Sequence, residues 1–187
     1  MSISASTSTI SSVGAHFLDR CRRSGRAEAF RYPDADGAWG TLTWRDVETR
    51  TTELAAGLLS LGVAGEQRVA IASTTRIEWV LADLAVALAG AATTTVYPST
   101  GAEDVAYIVE DCAAVVAFAE DAAQLAKLRT DGGWAGRIRH VIAFDPVDDP
   151  AVLSIDDLAA RGRAHLRADP AAVRAALDRI GPGSGGP

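Results

Sequence analysis

An open, mostly parallel α/β sheet with helices on both faces, preceded by an N-terminal β-hairpin, is the fold that this sequence predicts. Three observations predict it. Short apolar runs alternate with helical patterns from residue 68 onward. Capping signals open several of those helices. A turn cluster, Pro33-Asp34-Ala35-Asp36-Gly37, sits between two strand-like segments near the start. Apolar strands joined by helices imply parallel pairing through right-handed crossovers.

The elements follow in order. Residues 1–12 are Ser/Thr-rich and read as a leader. Val13 to Arg23 forms a short helix with Val13, Phe17 and Cys21 on one side and a Ser before it as cap. Arg20, Arg22, Arg23 and Arg26 follow and read as solvated cations at a helix C-terminus rather than an anion patch. Ala29–Tyr32 and Trp39–Trp44 are the hairpin strands. Thr43 with Asp46 makes a capping box, and Val47, Thr51, Leu54, Leu58 and Leu61 recur on one helical face. Gly62 suits the left-handed stop.

From Arg68 the pattern is βαβα. Strands are expected at 68–72, 92–97, 114–118 and 139–144. Helices are expected at about 75–89, capped by Thr75 with Glu78, then at 102–110, 121–129 and 154–163. Ser154 with Asp157 caps the last of these, and Asp169 caps a final helix to about Arg179. The helix from Trp79 to Ala89 is apolar nearly all round and should be buried. Trp39, Trp44 and Trp79 read as core, and Trp134 falls in a Gly-rich loop. Residues 181–187 form a Gly/Pro-rich tail. The division is therefore 1–12 leader, 13–180 α/β subdomain, 181–187 tail.

Composition narrows the function classes. The chain has 187 residues, 48% of them hydrophobic, and a formal net charge of −6. That charge argues against nucleic acid as a partner. Two Cys make no disulfide framework and fit a reducing cytosol. The longest apolar stretch, 79–96, contains Asp83 and Gly90 and is too interrupted for a transmembrane segment. No signal peptide pattern opens the chain.

Chemistry is sought where an α/β sheet binds ligands, beyond the carboxyl ends of its strands. Ser73-Thr74-Thr75 follows the first parallel strand and has none of the glycines a dinucleotide needs. Tyr97-Pro98-Ser99-Thr100-Gly101 follows the next strand; it reads as a turn plus helix cap, with hydroxyls that a phosphate could meet as the alternative. Lys127, the sole Lys, reads as a solvated mid-helix position. His16, His140 and His165 have no metal-ligand spacing, and no nucleophile elbow occurs on a strand-to-helix turn. The residues by themselves describe an α/β domain without a complete active site.

An ordered series of segments adds to that reading. Trp39-Gly-Thr-Leu-Thr-Trp-Arg-Asp-Val47, Leu54-Ala-Ala-Gly-Leu-Leu-Ser-Leu-Gly-Val63, Gln67-Arg-Val-Ala-Ile71, Ile77-Glu-Trp79, Ala89-Gly-Ala91, Tyr97-Pro98, Asp104 to Cys112 and Val115-Val-Ala-Phe118 occur in sequence. The series resembles the N-terminal region of the adenylate-forming (AMP-forming) acyl-CoA synthetases over about residues 13–180. The segment from Val96 to Asp104 is similar to the Tyr-Pro-Thr/Ser segment of long-chain fatty acid–CoA ligases, and the Arg- and Ala-rich composition resembles actinobacterial sequences.

The resemblance implies a family reaction in which a long-chain fatty acid, ATP and CoA give acyl-CoA, AMP and pyrophosphate through an acyl-adenylate, with Mg²⁺. It also implies a Thr-Ser-Gly-Thr-Thr-Gly-x-Pro-Lys loop shortly after a segment like Asp178–Pro182. Gly183-Ser-Gly-Gly-Pro187 stands there instead, with neither the hydroxyl run nor the Lys. No catalytic, cofactor-binding or metal residue of the family maps onto this sequence. The expectations are a truncated ligase, inactive alone and needing no cofactor as a fragment. Its location is expected to be cytoplasmic, with membrane-peripheral attachment open to full-length relatives. Uncovered apolar surface is expected to drive self-association. The alternatives are a non-catalytic module binding a partner subunit and a Rossmann-like nucleotide binder.

Overall fold

Residues 12–33 and 37–180 are described by the computed structural model. The leader and tail expectations thus lie outside the described residues, except for Ser12. Its hydroxyl accepts from the Ala15 N–H at 3.2 Å and caps helix α1 (Val13–Ser24), which buries Phe17 and Cys21. Strands β1 (Glu28–Pro33) and β2 (Trp39–Thr43) pair antiparallel with Phe30 opposite Leu42. Helix α2 (Trp44–Ser60) starts from the expected box: Thr43 Oγ1 accepts from the Asp46 N–H, and Asp46 accepts from the Thr43 N–H. Its buried stripe contains Val47, Thr51, Leu54 and Leu58, and Gly62 lies beyond its end at φ +80°.

The main sheet begins with β3 (Arg68–Ala72). Helix α3 (Ile77–Leu88) leads to β4 (Ala92–Val96), and α4 (Ala102–Asp111) leads to β5 (Val116–Ala119). Helix α5 (Ala122–Lys127) precedes a two-stranded turn, β6 (Arg129–Thr130) with β7 (Gly133–Trp134). Then come β8 (His140–Ala143), β9 (Val152–Ser154), α6 (Ile155–Ala168) and α7 (Ala172–Asp178). The strand order is β4-β3-β5-β8-β9, all parallel.

Alternation along the strands divides the core. Val69, Ile71, Val116, Phe118 and Ile142 face a cluster that includes residues of α1, α2, α3, α6 and α7. Ala70, Ala72, Ala117, Ala119 and Val141 face α4 and α5. Small residues on the second face let those helices approach closely. Two glycines do the same between α2 and α6. A Cβ on Gly162 would stand 1.7 Å from the Glu53 carbonyl oxygen, and one on Gly57 would stand 2.4 Å from that of Leu158.

Several expectations need correction. Helix α3 starts at Ile77 with Arg76, not Thr75, as its N-cap and no side-chain capping bond, and Glu78 accepts from the Arg76 guanidinium instead of closing a box with Thr75. Asp169 ends α6 rather than capping α7; its N–H donates to His165, its carboxylate accepts from the Ala171 N–H, and Ala171 is the α7 N-cap. Helix α6 runs five residues beyond the expected Arg163. Trp39 is 69% exposed on the hairpin, not core. Trp134 lies in β7, where the Arg129 guanidinium sits 3.8 Å from its ring centroid. The apolar helix α3 is enclosed by α1, α2 and α7, so no residue from 77 to 89 is exposed. Helix α3 therefore leaves no uncovered apolar face of its own, while Val13, Trp39, Tyr97 and Tyr107 are exposed elsewhere.

Candidate functional site: the strand-end crevice

Sheet order reverses around β3: the chain crosses first to β4 on one side, then to β5 on the other. That makes the carboxyl ends of β3 and β5 the switch point, where doubly wound folds open a ligand crevice. The residues there are Ser73 and Thr74 after β3, Glu120 after β5 and Asp145 after β8. Ladder bonds extend past the strands to hold them: Glu120 N–H donates to Ala72 O and Asp145 N–H to Glu120 O, both at 2.9 Å.

Glu120 fills the crevice. One carboxylate oxygen accepts from the Thr74 main-chain N–H at 2.6 Å, and the other accepts from the Thr74 hydroxyl at 2.8 Å. The buried Ser73 hydroxyl reaches the same group at 3.3 Å. These are the donors that a phosphate would take in a nucleotide-binding fold. Here an internal anion has taken them.

Arg76 organises the other carboxylates. Its guanidinium donates to Glu78 at 2.7 Å and Asp145 at 2.8 Å, and lies 3.7 Å from Glu120. It also stands over the Phe144 ring. Burial opposes its charge, but the bonds to Glu78 and Asp145 outweigh burial and hold its pKa above the ordinary arginine value. One guanidinium among three carboxylates leaves the crevice negative. A triphosphate is repelled there, and the donors it needs are spent. The residues present therefore do not fit ATP, nor Mg²⁺ carried on it. Among the described residues no group of three or more His, Cys, Asp or Glu is arranged to hold a metal ion.

The Tyr97–Gly101 loop is the expected turn, closed by Thr100 N–H to Tyr97 O at 3.0 Å. Gly101 caps α4 with no side-chain bond, and Glu103 and Asp104 occupy the first helical turn. Two acids at that N-terminus oppose a bound phosphate. Lys127 is not solvated as its position suggests: it is half-buried and donates from Nζ to Pro98 O, tying α5 to this loop. The arginines near the C-terminal end of α1 are also engaged. Arg22 and Arg23 pair with Asp19 at 3.1 and 2.8 Å, and Arg20 stands over Trp44. His140 opens β8, and the three histidines do not converge.

Glu120, Asp145 and Lys127 were not legible as a group in the sequence. Their partners lie 46, 69 and 29 residues away. Strand-end position was the one signal that could have gathered Glu120 and Asp145.

The fold, a five-stranded parallel sheet flanked by helices, matches the N-terminal part of adenylate-forming enzymes. The chain belongs to the AMP-binding enzyme family, whose description matches residues 17–176. It is 34% identical over 148 residues to the long-chain-fatty-acid–CoA ligase FadD15 of Mycobacterium tuberculosis, covering 74% of this chain and 24% of that one. The chain thus spans about a quarter of the length of that relative. It is 30% identical over 119 residues to the uncharacterized protein Rv1549 of the same species, covering 64% of each chain. The fold matches the anthranilate CoA ligase AuaEII, crystallised with anthranoyl-AMP, at a TM-score of 0.71 and 19% identity, over 80% of this chain and 28% of that one. No helix among the described residues is long and apolar enough to cross a membrane.

Proposed function

We propose that this chain supplies the N-terminal scaffold of a long-chain fatty acid–CoA ligase. The reaction served is conversion of a fatty acid, ATP and CoA to acyl-CoA, AMP and pyrophosphate through an acyl-adenylate. The groups that hold triphosphate, Mg²⁺ and acyl chain come from polypeptide outside these 187 residues. The observation that carries the reading is Glu120, which occupies the switch-point donors with an internal carboxylate. Similarity to a long-chain ligase, of which the match covers 24%, supports it. These residues alone are inactive, and the working protein is cytoplasmic.

A graft tests this. Residues 17–176 replace the matching segment of FadD15, and fatty-acid-dependent ATP–pyrophosphate exchange is measured beside the 187-residue chain. Exchange by the graft and none by the chain alone is the expected result. Exchange by the isolated chain, or a folded graft without activity, overturns the proposal.

A second reading, a non-catalytic module that works with a partner subunit, is favoured by the match to Rv1549, in which 64% of each chain is covered, so the two are of similar length. Co-purification of a stoichiometric partner with the tagged chain from its own host supports it. The third alternative, a Rossmann-like nucleotide binder, is opposed by the same filled crevice.

A further inference from the structure

Strand β4 ends the sheet, and among the described residues no strand lies on its outer side. Its main-chain groups alternate. Ala92 N–H donates to Gln67 O at 2.9 Å and Gly90 O accepts from Glu66 N–H at 2.8 Å, so these residues bond inward to β3. By the alternation of a strand, Thr93 and Thr95 turn both N–H and C=O outward, as do the Ala91 C=O and the Tyr97 N–H, whereas the Ala91 N–H is bound to Val86 O and the Tyr97 C=O to the Thr100 N–H. Natural edges are blunted by charge, proline or a bulge. This edge has none of these: no charged residue occurs from 91 to 102, β4 pairs with β3 in unbroken register, and the first proline, Pro98, lies beyond the strand.

Two further features sit at opposite ends of the same edge. Tyr97, directly after the strand, is 71% exposed. At the other end lies an open pocket of about 750 Å³, lined among others by Gly14, Arg68, Asp83, Ala87, Ala91 and Thr93. We infer that the β4 edge is a self-association surface, on which a second copy of this chain pairs antiparallel about a two-fold axis at Thr94 and seats its Tyr97 in this pocket.

The register follows from the unpaired groups. A two-fold through Thr94 places Thr93 opposite the second copy's Thr95, and Ala91 opposite its Tyr97. Each Thr93–Thr95 pair exchanges main-chain hydrogen bonds in both directions, each Tyr97 N–H donates to the Ala91 C=O opposite it, and Thr94 meets its own copy in a non-bonded pair. Directly opposed residues share a face. Tyr97 continues the face of Thr93 and Thr95, opposite that of Val96, whose side chain packs toward α4. The pocket lies on the same face, beside α3 residues Asp83 and Ala87. The ring therefore arrives on the pocket's side of the sheet, with Asp83 and Arg68 available to its hydroxyl. An uncharged edge brings no like charges together across the axis. The contact is isologous and closes after two copies.

Size-exclusion chromatography with light scattering tests the inference on the full 187-residue chain across the micromolar range. The expected mass is twice the 19.4 kDa of one chain. Tyr97→Ala empties the pocket and is expected to weaken the dimer at least about tenfold. Thr93→Pro removes an outward donor without touching the β3 ladder and should give a single-chain mass. Circular dichroism shows whether each variant is folded. In a Cys112→Ser background, Thr94→Cys is expected to form a disulfide-linked dimer on oxidation, because the two copies of residue 94 face one another. A single-chain mass for the unsubstituted protein overturns the inference. So does a dimer that survives Tyr97→Ala unchanged, or one in which the thiols introduced by Thr94→Cys do not cross-link.

Discussion

The Glu120 carboxylate accepts the Thr74 main-chain N–H at 2.6 Å across 46 residues of sequence, and so links the ends of β3 and β5. A hydrogen bond to a charged group contributes roughly 2 kcal/mol, and less where water reaches the donor, as it does at the exposed Thr74. Glu120→Ala is expected to cost about 1 to 2 kcal/mol in urea unfolding, and Glu120→Gln less, since an acceptor remains. Pyrophosphate at millimolar concentration should leave the Tm of the unsubstituted chain unchanged. A rise in Tm on adding it would show that the crevice accepts an anion despite Glu120.

Helices α2 and α6 touch backbone to backbone at Gly162. Its missing Cβ would lie 1.7 Å from the Glu53 carbonyl oxygen, which belongs to a helix and cannot swing away. Alanine gains about 1 kcal/mol of helix propensity over glycine, but forcing packed helices apart costs roughly 1 to 3 kcal/mol or more. Gly162→Ala is therefore expected to destabilise on balance, whereas Gly132→Ala, with nothing within 4 Å of its Cβ, should be neutral. Chemical denaturation of the pair decides it. Equal midpoints would mean that α6 is not held against α2 as described.

The features legible in the sequence are those whose cause is local. The boxes at Thr43/Asp46 and Ser154/Asp157 each close within three residues, and both form as read. The short apolar runs from which β3, β4, β5 and β8 were read are likewise a property of consecutive residues. Strand β9 escaped because it is three residues long and leads directly into α6. Thr75 and Glu78 carry the spacing of a box, but the helix begins one residue later, at Ile77, and Glu78 accepts from the Arg76 guanidinium, which is itself drawn to Asp145 69 residues on. The crevice, the Lys127–Pro98 bond and the Gly57/Gly162 contact depend on which elements meet, and no window of the sequence states that.

The two thiols should differ in reactivity. Cys21 is 2% exposed, and burial, with Glu48 adding and Arg20 opposing, pushes its pKa up to about 11. Cys112 is half-buried on the α4 C-cap. A thiol reagent at neutral pH is expected to modify Cys112 in the folded chain and Cys21 only after unfolding, because the thiolate is the reacting form. Linkage adds a pH window. The unfolded thiol ionises near its ordinary 9.0, below the folded value, so the contribution is present below pH 9 and is lost as pH rises toward 11. Cys21→Ala should flatten that alkaline loss. Rapid labelling of both thiols in the native protein would contradict the burial of α1 against the core.

His140 gives the acid-side counterpart. It opens β8 opposite Val116, and its pKa is lowered first by burial and then by Arg139 and Arg161. In the unfolded chain the ring takes a proton near the ordinary 6.5, while in the folded chain it stays neutral to lower pH. The unfolded state thus binds more protons below that point, and stability falls as pH drops. The contribution is complete above pH 6.5 and disappears as pH falls through the folded pKa. Asp46 and Asp157, whose pKa values are lowered by their capping bonds to Thr43 and Ser154, lose their contributions in a separate window, below the ordinary carboxylate value of 3.8. His140→Gln should therefore flatten the stability profile just below pH 6.5 and leave the carboxylate window in place. Urea midpoints measured at closely spaced pH values resolve the two. A profile unchanged by the substitution, or an NMR midpoint for His140 above 6.5, would show that the ring is not desolvated at the start of β8.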